Sequence, residues 1–307
     1  MEKPRTLLDA IVYFADVNVA SDFVAQLRWP DGAVCESCGS VEVTRLSTRP
    51  IWKCKGCKRQ FSVKVGTIFE DSPLSLSKWL PAVWLIANSK NGVSSHELGR
   101  ALGVTQKSAW FMLHRIRLAM QTGSFDKIDT IAEADETYIG GIARNMHAAD
   151  RKAKVKGGGP SGHMTGVAGI LERGGKVRAQ VISDTTLATL QGFVRAHVTP
   201  AAQIFTDAHR SYVGLRDTHS HGVVDHSLGQ YVDGIVHTNG IENFWMLLKR
   251  SIKGTYVSVA PAHLLAYVDE RVFSFNNAKA SDFDRFALAL NRVANRRLTY
   301  SDLTGKA

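Results

Sequence analysis

The 307-residue chain is 44% hydrophobic and 21% charged, ordinary proportions for a globular protein and enough chain for two or three separate cores. Its net charge of +10 favours a polyanionic partner. Its longest apolar run, residues 79–87, contains Pro81 and falls short of the ~20 residues a membrane-spanning helix needs, which excludes a helical membrane protein.

The start, MEKPRTLLDA, has no secretion-signal pattern, so a cytoplasmic, reducing location is expected. Residues 1–30 read as a helical lead-in, with apolar positions at helical spacing over 20–29. Residues 31–70 are punctuated by Gly and Cys, and Phe61, Val63 and Val65 alternate as in a small β unit. Here Cys35-x-x-Cys38 and Cys54-x-x-Cys57 stand fifteen residues apart and use all four cysteines of the chain. Two such knuckles bring four thiolates to one tetrahedral ion, a structural Zn2+ with no open position. Gly39 and Gly56 are expected to free the knuckle turns. Arg45, Arg49, Lys53, Lys55, Lys58, Arg59 and Lys64 make this ribbon basic, as either a phosphate-contacting or a solvated face.

Residues 71–123 read as helical, with three helices over 75–121. Ser94 or Ser95 can cap one helix, Gly103 makes a turn, and Thr105 can cap the next, whose inward face is Ala109, Leu113, Ile116 and Met120. That is a helix-turn-helix pattern. Its second helix offers Gln106, Lys107 and Trp110, with Arg115 and Arg117 further along, as candidate DNA contacts.

Residues 128–293 change character. Strands are expected at 130–139, 165–172, 176–183 and 202–206, with helices at 187–197, 240–253, 261–275 and 281–292. Three strands, a helix, a strand and then helices is the outline of a ribonuclease-H-like α/β unit. Residues 294–307 form a tail without a motif. The whole chain thus reads as multidomain α+β: a zinc ribbon, a helix-turn-helix segment and a C-terminal ribonuclease-H-like α/β domain.

Three carboxylates stand out. Asp135 lies in a strand whose alternation puts Glu133 and Asp135 on one face and Glu136 on the other. Asp207 ends the apolar run 202–205, at the strand terminus where α/β sheets place ligands. Glu242 opens the helix HTNGIENFWMLLKR. At ~100° per residue Ile241, Phe244, Trp245 and Leu248 form its core stripe, while Glu242 and Lys249 fall within about 20° of each other on the flank. Asn243 points away from the core. Two strand-borne carboxylates and one on a helix can hold a pair of divalent cations, Mg2+ or Mn2+ from the hardness of the oxygen ligands, and such a pair performs phosphoryl transfer.

Other features carry less. The basic Gly-rich loop 151–162 lacks a GK[ST] ending and reads as a hairpin connection. His219, His221 and His226 read as surface histidines rather than a second metal site. His237 is assigned to packing or capping, and Tyr212 to packing behind Asp207.

At RWPDG..C..CG, WKCKGCKRQFSVKVGTIF, DETYIGG (135–141), TDAHRSY and HTNGIENFW…K the chain resembles bacterial DDE-type insertion-sequence transposases with an N-terminal zinc ribbon. The resemblance covers nearly the whole chain. It implies a ribonuclease-H-like catalytic domain with Asp135, Asp207 and Glu242 as divalent-cation ligands and Lys249 as the associated basic residue holding DNA. Some relatives carry asparagine at the third position, which makes Asn239 and Asn243 the alternatives to Glu242. The expected activity is binding of the element's terminal repeats with metal-dependent cleavage and strand transfer. Expected partners are double-stranded DNA and, during synapsis, further copies of the chain; the expected location is the nucleoid-associated cytoplasm. The rival readings are a DNA-binding regulator with an inactive catalytic domain and a processing nuclease of the same fold.

Overall fold

The computed structural model describes residues 3–123, 126–141, 145–155, 162–225, 232 and 234–305. Residues 156–161 of the Gly-rich loop and His226 lie outside them. The chain forms two compact units, Met1–Gln121 with Lys279–Ala307, and Thr122–Ala278.

The first unit begins with α1 (Leu7–Tyr13) and α2 (Val17–Arg28), followed by an antiparallel sheet of β1 (Val43–Arg45), β2 (Ile51–Cys54) and β3 (Gln60–Ser62). Helices α3 (Leu76–Asn88), α4 (Ser95–Leu102) and α5 (Gln106–Met120) come next. The capping residues act as their types dictate. Ser94 and Glu97 form a reciprocal capping box on α4, Gly103 ends it in the left-handed region at φ 60°, and the Thr105 side chain caps α5. Ala109, Leu113, Ile116 and Met120 are all buried.

The expected boundary near 293 falls instead at 278. Helix α10 (Asp282–Leu290) belongs to the first unit, because its Phe286 is fully buried there among aromatic rings. The Phe286 centroid lies 5.1 Å from Trp84 and 5.6 Å from Phe14. The tail is also structured. It carries α11 (Tyr300–Thr304), an Arg297–Asp71 ion pair at 2.5 Å, and Tyr300 edge-on to Phe111 at 5.8 Å.

Arg115 corrects one expectation. It is only 4% exposed, and its guanidinium donates to the carbonyls of Ile68 (2.9 Å), Glu70 (2.7 Å) and Leu298 (3.0 Å). A planar fork engaged by carbonyls of two backbone segments joins the fold from inside, a different task from the expected DNA contact. Arg117 is likewise buried. Lys64, assigned to the basic ribbon face, donates to the carbonyls of Ser72 and Leu74.

The second unit is built on a five-stranded sheet in the order β6-β5-β4-β7-β8. Strands β4 (Ile131–Ile139), β5 (Thr165–Glu172) and β6 (Val177–Ile182) are antiparallel neighbours, and β7 (Gln203–Asp207) and β8 (Ser220–Val224) add in parallel. A short helix, α6 (Ala148–Lys154), precedes β5. One face of the sheet packs α7 (Leu187–His197) through Ile170, Leu190, Val194 and Ile204. The other packs α8 (Asn239–Ser251) and α9 (Leu264–Asn276) through Val167, Ile241, Phe244, Leu248 and Val268. The result is a helix–sheet–helix sandwich with an apolar layer on each side of the sheet.

Strand β8 was not expected from the sequence. Its SHGVV run has too few apolar residues to mark a strand, and pairing with β7 supplies what propensity does not. His221 in this strand and His219 just before it, expected at the surface, have local partners, and His219 is buried. The His221 ring lies 2.9 Å from the Thr206 hydroxyl, and buried His219 lies 2.9 Å from the Thr218 hydroxyl.

Two substitutions test this description. Phe286→Ala should lower the stability of the first unit by about 3–5 kcal/mol in urea unfolding, as expected for a buried ring replaced by a cavity. Arg115→Ala should destabilise the same unit by about 3 kcal/mol or more. An Arg115→Ala protein of native stability that binds DNA weakly would instead return Arg115 to the DNA face.

Candidate active site and zinc centre

Strand pairing brings Asp135 and Asp207 together. The parallel register sets Glu133 opposite Phe205, so two residues further along each strand Asp135 comes abreast of Asp207. Neighbours in a parallel ladder share a face. The electrostatics agree with this closeness. The Asp135 carboxyl is pushed up to about 8, first by burial and then by the negative charges of Asp207 and Glu136. The Glu136 amide (2.8 Å) and the Trp245 indole N–H (2.9 Å) both donate to Asp135 and work in the opposite direction.

The Trp245 bond ties α8 to the strand. Ile241, Phe244, Trp245 and Leu248 are buried, Glu242 and Lys249 are half-buried, and Asn239 and Asn243 are exposed. Glu242, Trp245 and Lys249 follow one another at spacings of three and four along one ridge. Because Trp245 touches Asp135, this ridge runs past the aspartate pair. The Thr238 hydroxyl donates to Glu242 Oε1 at 2.8 Å. The Lys249 ammonium is lowered by burial and held up by Asp135. Gly169 makes the approach possible, since a Cβ there would lie 2.6 Å from the Trp245 ring.

Glu133 was not singled out as functional in the sequence, and the structure gives it a definite task. It is 1% exposed, on the same face of β4 as Asp135. Its Oε2 accepts the backbone N–H groups of Gly240 (2.8 Å) and Ile241 (3.0 Å), the opening amides of α8. Its Oε1 accepts two bonds from the Arg173 guanidinium (2.9 and 3.1 Å) and lies 3.3 Å from His237 Nδ1. A buried carboxylate thus replaces the missing N-terminal side-chain cap of α8. Gly240 is required for the close approach, because a Cβ there would meet Glu133 Oε2 at 2.7 Å. The signal for this role was present in the alternation that put Glu133 beside Asp135. The helix end it meets is 107 residues away, beyond the reach of any local pattern.

On the other side of β4, Glu136 accepts the Tyr212 hydroxyl at 2.8 Å and lies 3.5 Å from His209 Nδ1. Tyr212 is buried, as expected, and this bond is its anchor.

The four cysteines converge. Cys35 and Cys57 Sγ are 3.6 Å apart, Cys38 and Cys54 Sγ 3.7 Å, and all four sulfurs lie within 4.8 Å of one another. Zn–S bonds of ~2.3 Å at tetrahedral angles give edges of about 3.8 Å, so the donor set fits Zn2+. Sulfurs this far apart are not disulfide-bonded. The Cys54 thiol is drawn down to about 6, first by the Cys57 backbone N–H, which favours the ligating thiolate. The knuckle turns differ from expectation in one detail. The residue after each second cysteine takes positive φ, Gly39 at 72° and Lys58 at 62°, whereas Gly56 does not. Among the described residues, these cysteines form the one group of three or more His, Cys, Asp or Glu drawn so close; Asp135, Asp207 and Glu242 are more widely spaced.

Of the proposed DNA-contacting residues, Gln106 and Lys107 are exposed and Trp110 is half-buried. Gln106 donates to the Ser95 hydroxyl at 2.8 Å, and the Lys107 ammonium lies 4.7 Å from the Tyr300 ring. No described helix is long and apolar enough to cross a membrane.

Comparison with known proteins finds family models for stretches of both units. Residues 127–276 match the family model of the ISXO2-like transposase domain, and residues 18–60 match that of a transposase zinc-ribbon domain. A curated relative, an uncharacterized protein in the transposable element ISH50 of Halobacterium salinarum, is 26% identical over 248 residues, 77% of this chain and 83% of its own length.

Two measurements check the site and the ribbon. Glu133→Gln keeps the shape but loses the charge facing two amides and a guanidinium; it should lower activity roughly 10–100-fold, the range for residues that orient ligands, while the fold persists. Unchanged activity would show that α8 needs no cap from β4. Metal analysis should find one zinc per chain, lost in Cys54→Ser.

Proposed function

We propose that this chain, which belongs through its two matched domains to the zinc-ribbon-bearing ISXO2-like transposase family, binds the terminal repeats of its own element and carries out divalent-metal-dependent strand cleavage and strand transfer. One observation carries the reading: two carboxylates on adjacent parallel strands, Asp135 and Asp207, lie beside the helix ridge of Glu242 and Lys249, to which the Trp245–Asp135 bond ties them. The sheet order β6-β5-β4-β7-β8, antiparallel in its first three strands and parallel in its last two, supports a ribonuclease-H-like fold.

In this reading Asp135, Asp207 and Glu242 are the ligands of Mg2+ or Mn2+. The donor set fits such ions: oxygen donors only, with Asp135 buried beside like charges that a cation would relieve. When bound, the cations would activate a water or a DNA 3′-hydroxyl as nucleophile and would stabilise the departing oxygen of an in-line displacement. The protein's own residues do the positioning. Trp245 and the Glu136 amide fix the two oxygens of Asp135 in direction, and Thr238 orients Glu242. Glu133 and Arg173 hold the start of α8 in place. Lys249 holds a DNA phosphate. None of these side chains need form a covalent bond to DNA.

DNA recognition falls to the first unit. The exposed Gln106 and Lys107 with Trp110 on the opening turns of α5 suit base edges and phosphates. Exposed Lys53, Lys55, Lys58 and Arg59 on the zinc ribbon suit phosphates. Synapsis of two ends calls for more than one copy, and such work belongs in the cytoplasm on nucleoid DNA.

The test is a strand-transfer assay with purified protein, terminal-repeat DNA and Mg2+. Asp207→Ala and Glu242→Ala should each reduce joining on the order of a thousandfold, the loss of several kcal/mol of transition-state stabilisation. Joining that survives both substitutions would overturn the ligand assignment. Cutting without joining would make the protein a nuclease.

A further inference from the structure

Beside the proposed catalytic centre is a cavity of about 260 Å3 that the ligand scheme does not use. It lies between the end of β4, the residues before β5 and the segment following α8. Gly140, Met164 and Val257 give it apolar walls, Lys249 and Lys253 give it cationic ones, and exposed Ser258 also lines it. Lys249 faces both ways. It lines the cavity and also interacts electrostatically with Asp135, so the cavity adjoins the aspartate pair.

Three features show a shaped wall. Helix α8 runs on into a π-turn over Ile252–Tyr256, a rare geometry that collects at functional sites. The Tyr256 hydroxyl donates to Glu270 of α9, which pins that turn. Val257 then adopts φ 62° with its side chain 78% exposed. With ψ −51° and the Ser258 N–H donating to the Tyr256 carbonyl across it, Val257 is the centre of a γ-turn, strained for a β-branched residue, and such strain gathers at ligand clamps. Opposite, Gly140 packs so tightly on Met164 that a Cβ would come within 2.9 Å of it.

We propose that this cavity receives one unstacked nucleotide of the DNA strand being processed, with the base between Met164 and Val257 and the flanking phosphates on Lys249 and Lys253. The chemistry is complementary in both parts: a planar, largely apolar base for the walls, and phosphodiesters for two ammonium groups within reach of each other. The volume, just under the ~300 Å3 at which pockets for drug-sized ligands begin, suits a single nucleotide. The inference rests on the function proposed above, since it needs DNA at this centre. It adds that the strand is distorted there, one base leaving the stack.

The experiment uses the full chain with Ca2+ in place of Mg2+ to hold back the chemistry. The probe is the element's terminal-repeat duplex with 2-aminopurine placed in turn at each nucleotide flanking the junction. A distal dye reports binding separately through anisotropy. At saturating protein, 2-aminopurine emission should rise severalfold at one position. The rise should disappear in Ser258→Trp, which adds a bulky ring to the cavity lining at an exposed position, and should weaken in Lys253→Ala. Saturated binding with no rise at any position, or an equal rise in Ser258→Trp, overturns the inference and leaves the proposed function standing. A duplex that does not bind at all overturns the proposed function and this inference with it. The mononucleotide dAMP, the other source of the same chemistry, should not match the duplex in affinity; equal affinity would make this a free-nucleotide site and overturn the inference.

Discussion

The geometry of the second unit depends on a buried carboxylate meeting the start of a helix. Glu133 leaves water almost completely and recovers its hydration from two backbone amides and an arginine fork. Partial positive charge at a helix N-terminus and a full charge from Arg173 balance one negative charge in a space that excludes solvent. The bond fixes where α8 begins relative to β4, and the sequence of α8 fixes the rest. Once Gly240 is seated, Ile241, Trp245 and Leu248 fall onto the sheet and the Glu242–Lys249 ridge follows. A helix this amphipathic would find the sheet by hydrophobic burial alone. Burial alone tolerates sliding, whereas a charged cap at a defined strand position does not.

Asp135 and Glu133 share a face of one strand and have opposite fates. Glu133 is fully compensated by donors. Asp135 has an indole N–H and one amide, and otherwise feels the negative charges of Asp207 and Glu136. Its environment opposes the charge it would carry alone and would welcome a cation. Arg173 serves only the first: it donates to Glu133 and reaches the carbonyls of Ile235 and His237 as well.

Much of this was legible in the sequence, for local reasons. Strand β4 and helix α8 have a single strong period each, strand β5 is one continuous apolar run, and helical phase alone separated exposed Asn243 from half-buried Glu242. Paired CxxC knuckles are short-range geometry, and the four sulfurs meet as the spacing requires. What escaped was decided at long range. Arg115 looked like a DNA-facing residue because its partners, the carbonyls of Ile68, Glu70 and Leu298, have no side-chain signature. Strand β8 is held by its neighbour's ladder rather than by its own residues. Phe286 reads as an ordinary amphipathic-helix residue until Phe14 and Trp84, some two hundred residues and more before it, are seen around its ring.

The discontinuous first unit has a consequence for the order of folding. Its aromatic centre lacks Phe286, and its Arg115 and Asp71 lack their tail partners, until the chain beyond residue 279 exists. The 157-residue second unit is contiguous and can close while the ribosome is still at work, since domains fold as units during synthesis. The segment assigned to DNA recognition is translated first and completed last. A nascent chain can therefore carry a closed second unit before the first unit has gained its closing helix α10.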